Sequence, residues 1–185
     1  MNRQVEPPKD ARQHWSIRWG RELLLIVVFI AVVGTAIDYY RLTQRDNKRL
    51  SPAVMEFLTA QLNTPKTQPG QPYLIYTWAT WCGVCNLTSR AVSNIAEDYP
   101  VITIALRSGD QQTVNQFIEQ NNYGFNAIAD NDGSLSQAMD VGATPTFFIV
   151  NTDGTIRYFS VGVNTEPTLR LKLSLFSQAS DAPSP

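Results

Sequence analysis

Residues Tyr73–Cys85 read YLIYTWATWCGVC. The first six are aromatic, aliphatic or β-branched and follow Pro72, the pattern of a short buried strand. Beyond the two cysteines, Leu87, Ala91, Val92, Ile95 and Ala96 recur at helical spacing, so a helix is expected with these five on its packed face. Cys82 and Cys85 therefore fall at a strand-to-helix junction. There Cys82 lies at the helix N-terminus, where unpaired backbone N–H groups and the positive end of the dipole stabilise a thiolate. Cys85, three residues on, returns to the same face and can close a disulfide. One thiolate would attack a partner's disulfide and the other would resolve the mixed disulfide.

The rest of the composition narrows the chemistry. The 185 residues contain only these two cysteines and one histidine, His14. A Ser–His–Asp or Cys–His site in the body of the chain is excluded, as is a Cys₂His₂ or Cys₄ zinc site within one chain. Metal bridging between two copies, or capture of Cu(I) by two thiolates, stays open. Residues 1–50 hold nine Lys/Arg against five Asp/Glu, and residues 51–185 hold six against eleven, so the two parts carry about +4 and −5. That acidic balance excludes a strongly basic nucleic-acid surface from the larger part.

The amino-terminal third is of another kind. Leu23–Ile37, LLLIVVFIAVVGTAI, runs fifteen residues without a charge. As a helix it spans roughly 22 Å, short of the ~30 Å hydrocarbon core, whereas residues 19–40 reach roughly 33 Å. Trp15 and Trp19 on one flank and Tyr39 and Tyr40 on the other suit the membrane interface. Gly34-Thr35-Ala36 also offers the small residues of a signal-peptidase site, but the long preceding region and the two aromatic flanks favour an uncleaved anchor. Five Lys/Arg precede the run and four follow closely, so the positive-inside count does not orient it. Ser51-Pro52 opens a helix carrying Val54, Phe57, Leu58 and Leu62 at helical spacing, expected to be packing residues. The expected organisation is an N-terminal segment over 1–18, a transmembrane anchor over 19–40 and a tether with a pre-domain helix over 41–72. An α/β domain over 73–177 and a flexible tail over 178–185 complete it.

The central motif WATWCGVC resembles the active-site sequence of thioredoxin-fold proteins, in particular the membrane-anchored TlpA-like branch of bacterial envelopes. Downstream residues extend the likeness. Val101–Arg107 reads as the next strand, Asp110 as the cap of a helix through Gln120, and Ile128–Asp130 as a short strand. Ala143-Thr144-Pro145-Thr146 then precedes a strand over Phe147–Val150. Asn151–Gly154 reads as a hairpin turn into a strand over Thr155–Val161, with a closing helix from about Thr165 to Ser177. The resemblance covers about residues 70–177 and implies a central mixed sheet flanked by helices. It also implies a cis peptide bond at Thr144-Pro145 beside the cysteines, with the backbone of Thr144 pairing with a partner's peptide. The WATWC motif, Ala105-Leu106-Arg107-Ser108-Gly109 and the TPT-x-FIV segment are similar to the suppressor-of-copper-sensitivity protein D family of protein disulfide oxidoreductases.

Three positions depart from related patterns. Thioredoxin carries a buried aspartate six residues before its first active-site cysteine, where this chain has Tyr76. Apocytochrome c reductases carry a glutamate after the cis-proline, where this chain has Thr146. Many TlpA-like proteins place Glu and Pro soon after the second cysteine, and Asn86–Arg90 contains neither. Asp98, Asp110 and Asp130 are candidate proton acceptors by sequence proximity alone, with a surface role expected for each.

The reading that results is a single-pass bacterial inner-membrane thiol–disulfide oxidoreductase with residues 1–18 in the cytoplasm and its thioredoxin domain in the periplasm. Cys82 and Cys85 are the catalytic pair; Trp81, Gly83, Val84, Thr144 and Pro145 are the substrate-binding residues. No cofactor beyond the redox-active disulfide and no metal are called for. The expected partners are periplasmic protein thiols and disulfides and a membrane thiol reductant, with copper tolerance as context. Apocytochrome c reduction and a Cu(I)-binding Cys-x-x-Cys module are the competing readings.

Overall fold

Tyr73–Trp78 is the middle strand of a five-stranded mixed sheet, and all six of its residues are buried. The structure, a computed structural model, describes residues 22–29, 32–34, 36, 49–61 and 71–179. From residue 49 onward the described elements are α1 (Pro52–Gln61), β1 (Tyr73–Trp78), α2 (Gly83–Ile95), β2 (Val101–Leu106) and α3 (Gln111–Gln120). They continue with β3 (Ala127–Asp130), α4 (Ser134–Ala138), β4 (Thr146–Val150), β5 (Ile156–Val161) and α5 (Glu166–Ala179).

The sheet order is β3-β2-β1-β4-β5. β1 and β2 run parallel, as do β2 and β3, while β4 is antiparallel to both β1 and β5. Parallel neighbours need crossover connections, and α2 and α3 supply them. Period-two alternation then sorts the side chains into two layers. Leu74, Tyr76, Trp78, Phe147 and Ile149 pack with Val92 and Ile95 of α2, Val114 and Ile118 of α3, and Leu169 and Leu173 of α5. Ile75, Ile102, Ile104, Phe148 and Val150 are buried on the opposite face, where Phe148 meets Phe159 at 5.2 Å.

Local chemistry places the ends of the elements. Asp110 caps α3 by accepting from the Thr113 N–H at 2.8 Å, as its position predicts. The expected strand Val101–Arg107 stops one residue early, because Arg107 adopts φ +46° and turns the chain back toward the cysteines. Asn151–Gly154 forms the β4–β5 turn, with the Gly154 N–H on the Asn151 carbonyl and Gly154 at φ +85°. Thr155 is left out of β5 and bridges to Arg49 instead.

The helix α1 buries Val54, Met55 and Leu58, whereas Phe57, expected with them, is 45% exposed. Leu62 lies outside the described residues. Just before α1, the Leu50 N–H donates to the Gly154 carbonyl at 2.9 Å, and Arg49 forms an ion pair with Asp153 at 2.8 Å. The chain thus joins the sheet at the β4–β5 turn. Because Thr146 pairs with Val161 and Thr77 at the other end, this junction lies at the pole opposite Pro145 and the end of β1.

The chain divides into two units, Met1–Gln44 and Arg45–Pro185. Of the span expected at 19–40, residues 22–29, 32–34 and 36 are described, and they are helical. Among the described residues, no helix is long and apolar enough to cross a membrane. Residues 1–21, 30, 31, 35, 37–48, 62–70 and 180–185 lie outside the described residues, and with them the ends of the expected anchor, much of the tether and all of the segment 1–18.

Candidate active site

β1 ends at Trp78, and the chain turns through Ala79–Trp81 to Cys82, the N-cap of α2. Cys82 has extended backbone angles, φ −91° and ψ 101°, as an N-cap residue should. Its Sγ takes the place of a capping oxygen: the Cys85 N–H points to it at 3.2 Å. Cys82 and Cys85 are joined in a disulfide with their Cα atoms 5.3 Å apart. The two sulfur residues differ in access, since Cys82 is 8% exposed and Cys85 is 0% exposed.

The turn ahead of Cys82 is held from the loop that follows β2. The Thr80 N–H donates to Ser108 Oγ at 3.0 Å, and the Trp81 indole N–H donates to the Arg107 carbonyl at 3.0 Å. Ser108 Oγ in turn donates to the Leu106 carbonyl at 3.0 Å. Thus the Arg107-Ser108 pair, whose spacing to Thr80 cannot be read from sequence, clamps the motif. Trp81 remains 64% exposed despite its fixed indole. Val84 and Val163 are exposed too, and Gly83 is open on the solvent side.

The Thr144-Pro145 peptide bond is cis, as the resemblance implies. The Thr144 carbonyl oxygen lies 3.7 Å from Cys82 Sγ, and the Pro145 carbonyl accepts from the Gly162 N–H at 2.8 Å. Trp81, Cys82 and Thr144 are therefore brought together at one end of the sheet, with Gly83, Val84 and Pro145 adjoining them in sequence. Thr146 is fully buried, with its hydroxyl donating to the Ala143 carbonyl at 2.6 Å, so this position offers no acid.

Leu87 departs from expectation. It is 73% exposed, and the inward arc of α2 is Cys85, Thr88, Ser89, Val92 and Ile95. The reason is geometric: once Cys85 faces the core, a residue two positions on lies about 200° round the helix. Two hydroxyl residues take the inward places because they have a buried partner. Tyr76 Oη lies 2.9 Å from Thr88 Oγ1 and 3.0 Å from Ser89 Oγ, and it donates to the Cys85 carbonyl at 3.3 Å. Burial pushes the Tyr76 hydroxyl up to about 12, against the smaller opposing effect of its Ser89 and Thr88 hydrogen bonds.

The three candidate carboxylates serve elsewhere. Asp98 pairs with Arg170 at 2.6 Å, and Asp110 caps α3. Asp130 is buried rather than superficial, because its carboxylate accepts from the Leu135 and Ser136 N–H groups at the start of α4. Among the described residues, no group of three or more His, Cys, Asp or Glu side chains could hold a metal ion.

Known proteins carry the same pattern. The Redoxin family pattern matches residues 51–173. A thioredoxin-like protein of Haemophilus influenzae is 28% identical over 158 residues, covering 82% of this chain and 90% of its own length. The thiol:disulfide interchange protein DsbE of Escherichia coli K12 is 26% identical over 133 residues, covering 71% of this chain and 66% of its own. Among solved structures, a secreted Mycobacterium tuberculosis disulfide oxidoreductase homologous to E. coli DsbE superposes with a TM-score of 0.53 at 21% identity, over 68% of this chain and 99% of that one. StoA from Bacillus subtilis does so with a TM-score of 0.51 at 24% identity, over 57% of this chain and 84% of its own. These two show the fold. A chain matched over most of its length, with its disulfide at the N-cap of α2, belongs to the Redoxin family as a DsbE- and TlpA-like, thioredoxin-fold thiol–disulfide oxidoreductase with Cys82–Cys85 as its redox pair.

Proposed function

We propose that this oxidoreductase is anchored in a bacterial inner membrane through residues 19–40 and works in the periplasm as a protein disulfide reductase linked to copper tolerance. The observation that carries the redox assignment is the disulfide itself, with its more accessible sulfur at a helix N-terminus beside the Thr144 carbonyl. In the reduced protein, Cys82 is the attacking thiolate, stabilised by the Cys85 N–H and the dipole of α2. Cys82 attacks a partner's disulfide, forming a Cys82–partner disulfide and releasing the first partner thiolate. Cys85, as thiolate, then attacks Cys82 Sγ and releases the second. Two electrons have passed to the partner, and Cys82–Cys85 is oxidised. A membrane thiol reductant returns the pair to the dithiol.

The backbone of Thr144, ahead of Pro145, docks the partner's extended segment as a short added strand. Trp81, Gly83 and Val84 supply the surrounding contact, and the exposure of all three supports this reading. The neutral, buried Thr146 counts against apocytochrome c reduction as the specialised task. We keep the thioredoxin-like domain at 73–177, with α1 as a pre-domain helix packed into the same folded unit and α5 running two residues past the expected end.

One experiment tests the assignment. Tagged Cys85→Ser protein, recovered from the membrane fraction of copper-stressed cells, should carry partner proteins in disulfides that a thiol reductant releases. The Cys82→Ser, Cys85→Ser double variant should carry none. Absence of adducts on the single variant, while wild type cycles between dithiol and disulfide, would sink the assigned roles. Adducts found only in the soluble fraction would sink the anchor.

A further inference from the structure

Three hydroxyls converge beneath Cys85. Tyr76 reaches from β1 to Thr88, Ser89 and the Cys85 carbonyl, at 2.9, 3.0 and 3.3 Å. Thr88 Oγ1 donates to the same carbonyl at 3.1 Å. Each hydroxyl has one proton to give. An arrangement in which Ser89 donates to Tyr76, Tyr76 to Thr88 and Thr88 to Cys85 leaves none without a partner. The other consistent arrangement has Tyr76 donating directly to Cys85. Either way the chain of donors ends on the Cys85 carbonyl.

The phenol is aimed by its surroundings. Its ring stacks on Phe147 with centroids 4.9 Å apart and meets Phe125 edge-on at 6.3 Å. Tyr76, Thr88 and Ser89 are all within 1% of complete burial. In the oxidised protein this support is redundant, because a covalent bond already ties Cys85 to Cys82. The bond is gone once Cys82 is joined to a partner. Cys85 must then find the Cys82 sulfur again, and displacement at sulfur is sensitive to the alignment of the attacking atom.

Resting on the roles assigned above to Cys82 and Cys85, we propose that the Tyr76–Thr88–Ser89 hydroxyl chain positions the resolving cysteine, holding its backbone against β1 while Cys82 is occupied by a partner. Tyr76 is a positioning residue acting through Cys85. It governs the second exchange step and leaves the first alone. The buried phenol keeps its own proton, so its part is geometric and does not include taking the proton of the Cys85 thiol.

An aromatic disulfide separates the two steps. Reduced protein mixed with 5,5′-dithiobis(2-nitrobenzoate) releases one coloured thiolate when Cys82 attacks and a second when Cys85 resolves the Cys82 adduct. Tyr76→Phe should leave the first phase within about twofold of wild type and slow the second by on the order of tenfold. Thr88→Val, similar in volume without the hydroxyl, should also slow the second phase, and Thr88→Ser should restore it. A second phase unchanged in folded Tyr76→Phe or in Thr88→Val overturns the proposal. So does an equal slowing of both phases with a lowered melting temperature, the mark of a purely structural role. Should Tyr76→Phe fail to fold, the two Thr88 variants decide. Wild type that releases only one equivalent would instead overturn the assigned roles of the cysteines.

Discussion

At the scale of single residues, the site combines one exposed aromatic with firm hydrogen bonding. Trp81 would be mobile if exposure alone governed it, yet its indole N–H is held by the Arg107 carbonyl. A held ring presents contact area at low entropic cost to a docking protein. Trp81→Phe keeps an aromatic ring and removes the hydrogen bond, so stability should change by no more than about 1 kcal/mol. Reduction of a protein disulfide such as insulin should slow several-fold, while the rate with a small disulfide stays at the wild-type level. Equal effects on both substrates would show that Trp81 acts on Cys82 itself. Cys82 and Cys85 were plain in the sequence, because no other residues could perform thiol chemistry. Tyr76 was visible only as a departure. Its link to Thr88 and Ser89 spans a strand and a helix, and nothing in the spacing of twelve or thirteen residues announces it.

Helices and strands were legible where local chemistry decides them. Asp110 at its cap, the Asn151–Gly154 turn and the buried β1 all follow from side-chain propensity at one place in the chain. Leu87 departs from its expected place because apolar character and helical spacing do not say which arc faces inward; Cys85 decides that from outside the pattern. Carboxylates held by cap and turn hydrogen bonds also make a statement about acid. Asp110, Asp132 and Asp153 are held below the usual carboxylate value of 3.8, chiefly by accepting the backbone N–H of Thr113, Ser134 and Thr155. Glu166 is held below its usual 4.5, first by its hydrogen bond from Arg170. With folded values depressed, the unfolded chain takes up protons first as pH falls. The stabilisation is therefore complete above the unfolded values and is lost as pH drops through the folded ones. Urea midpoints should stay level from about pH 7 to 5 and decline below about pH 4. Asp110→Asn retains a good cap and removes one titrating group, so its decline should be shallower. An identical acid limb in the variant would show that this cap does not contribute.

Over the whole molecule, the sheet order rests on long-range pairing that no local pattern contains, and the resemblance to thioredoxin-fold proteins was what made it readable. The same holds for α1. Its apolar spacing marked a helix, but the seating of Met55 beside Gly154 and the complete burial of Leu58 come from tertiary packing. This helix is part of the folded unit, so Leu58→Ala should lower unfolding free energy by about 2–5 kcal/mol. A loss below about 1 kcal/mol in urea titration would mean that α1 docks only loosely. The bridge from Arg49 and Leu50 to the β4–β5 turn carries a further consequence. A six-residue strand rises about 3.3 Å per residue, which sets that bridge roughly 20 Å from the cysteine end of the sheet. Within the folded unit, the chain therefore enters at the heel of the sheet, and the thiols stand at its toe. Coupled to a bead or an electrode through residue 49, the domain would carry its sulfur atoms at the far end, toward whatever solution flows past.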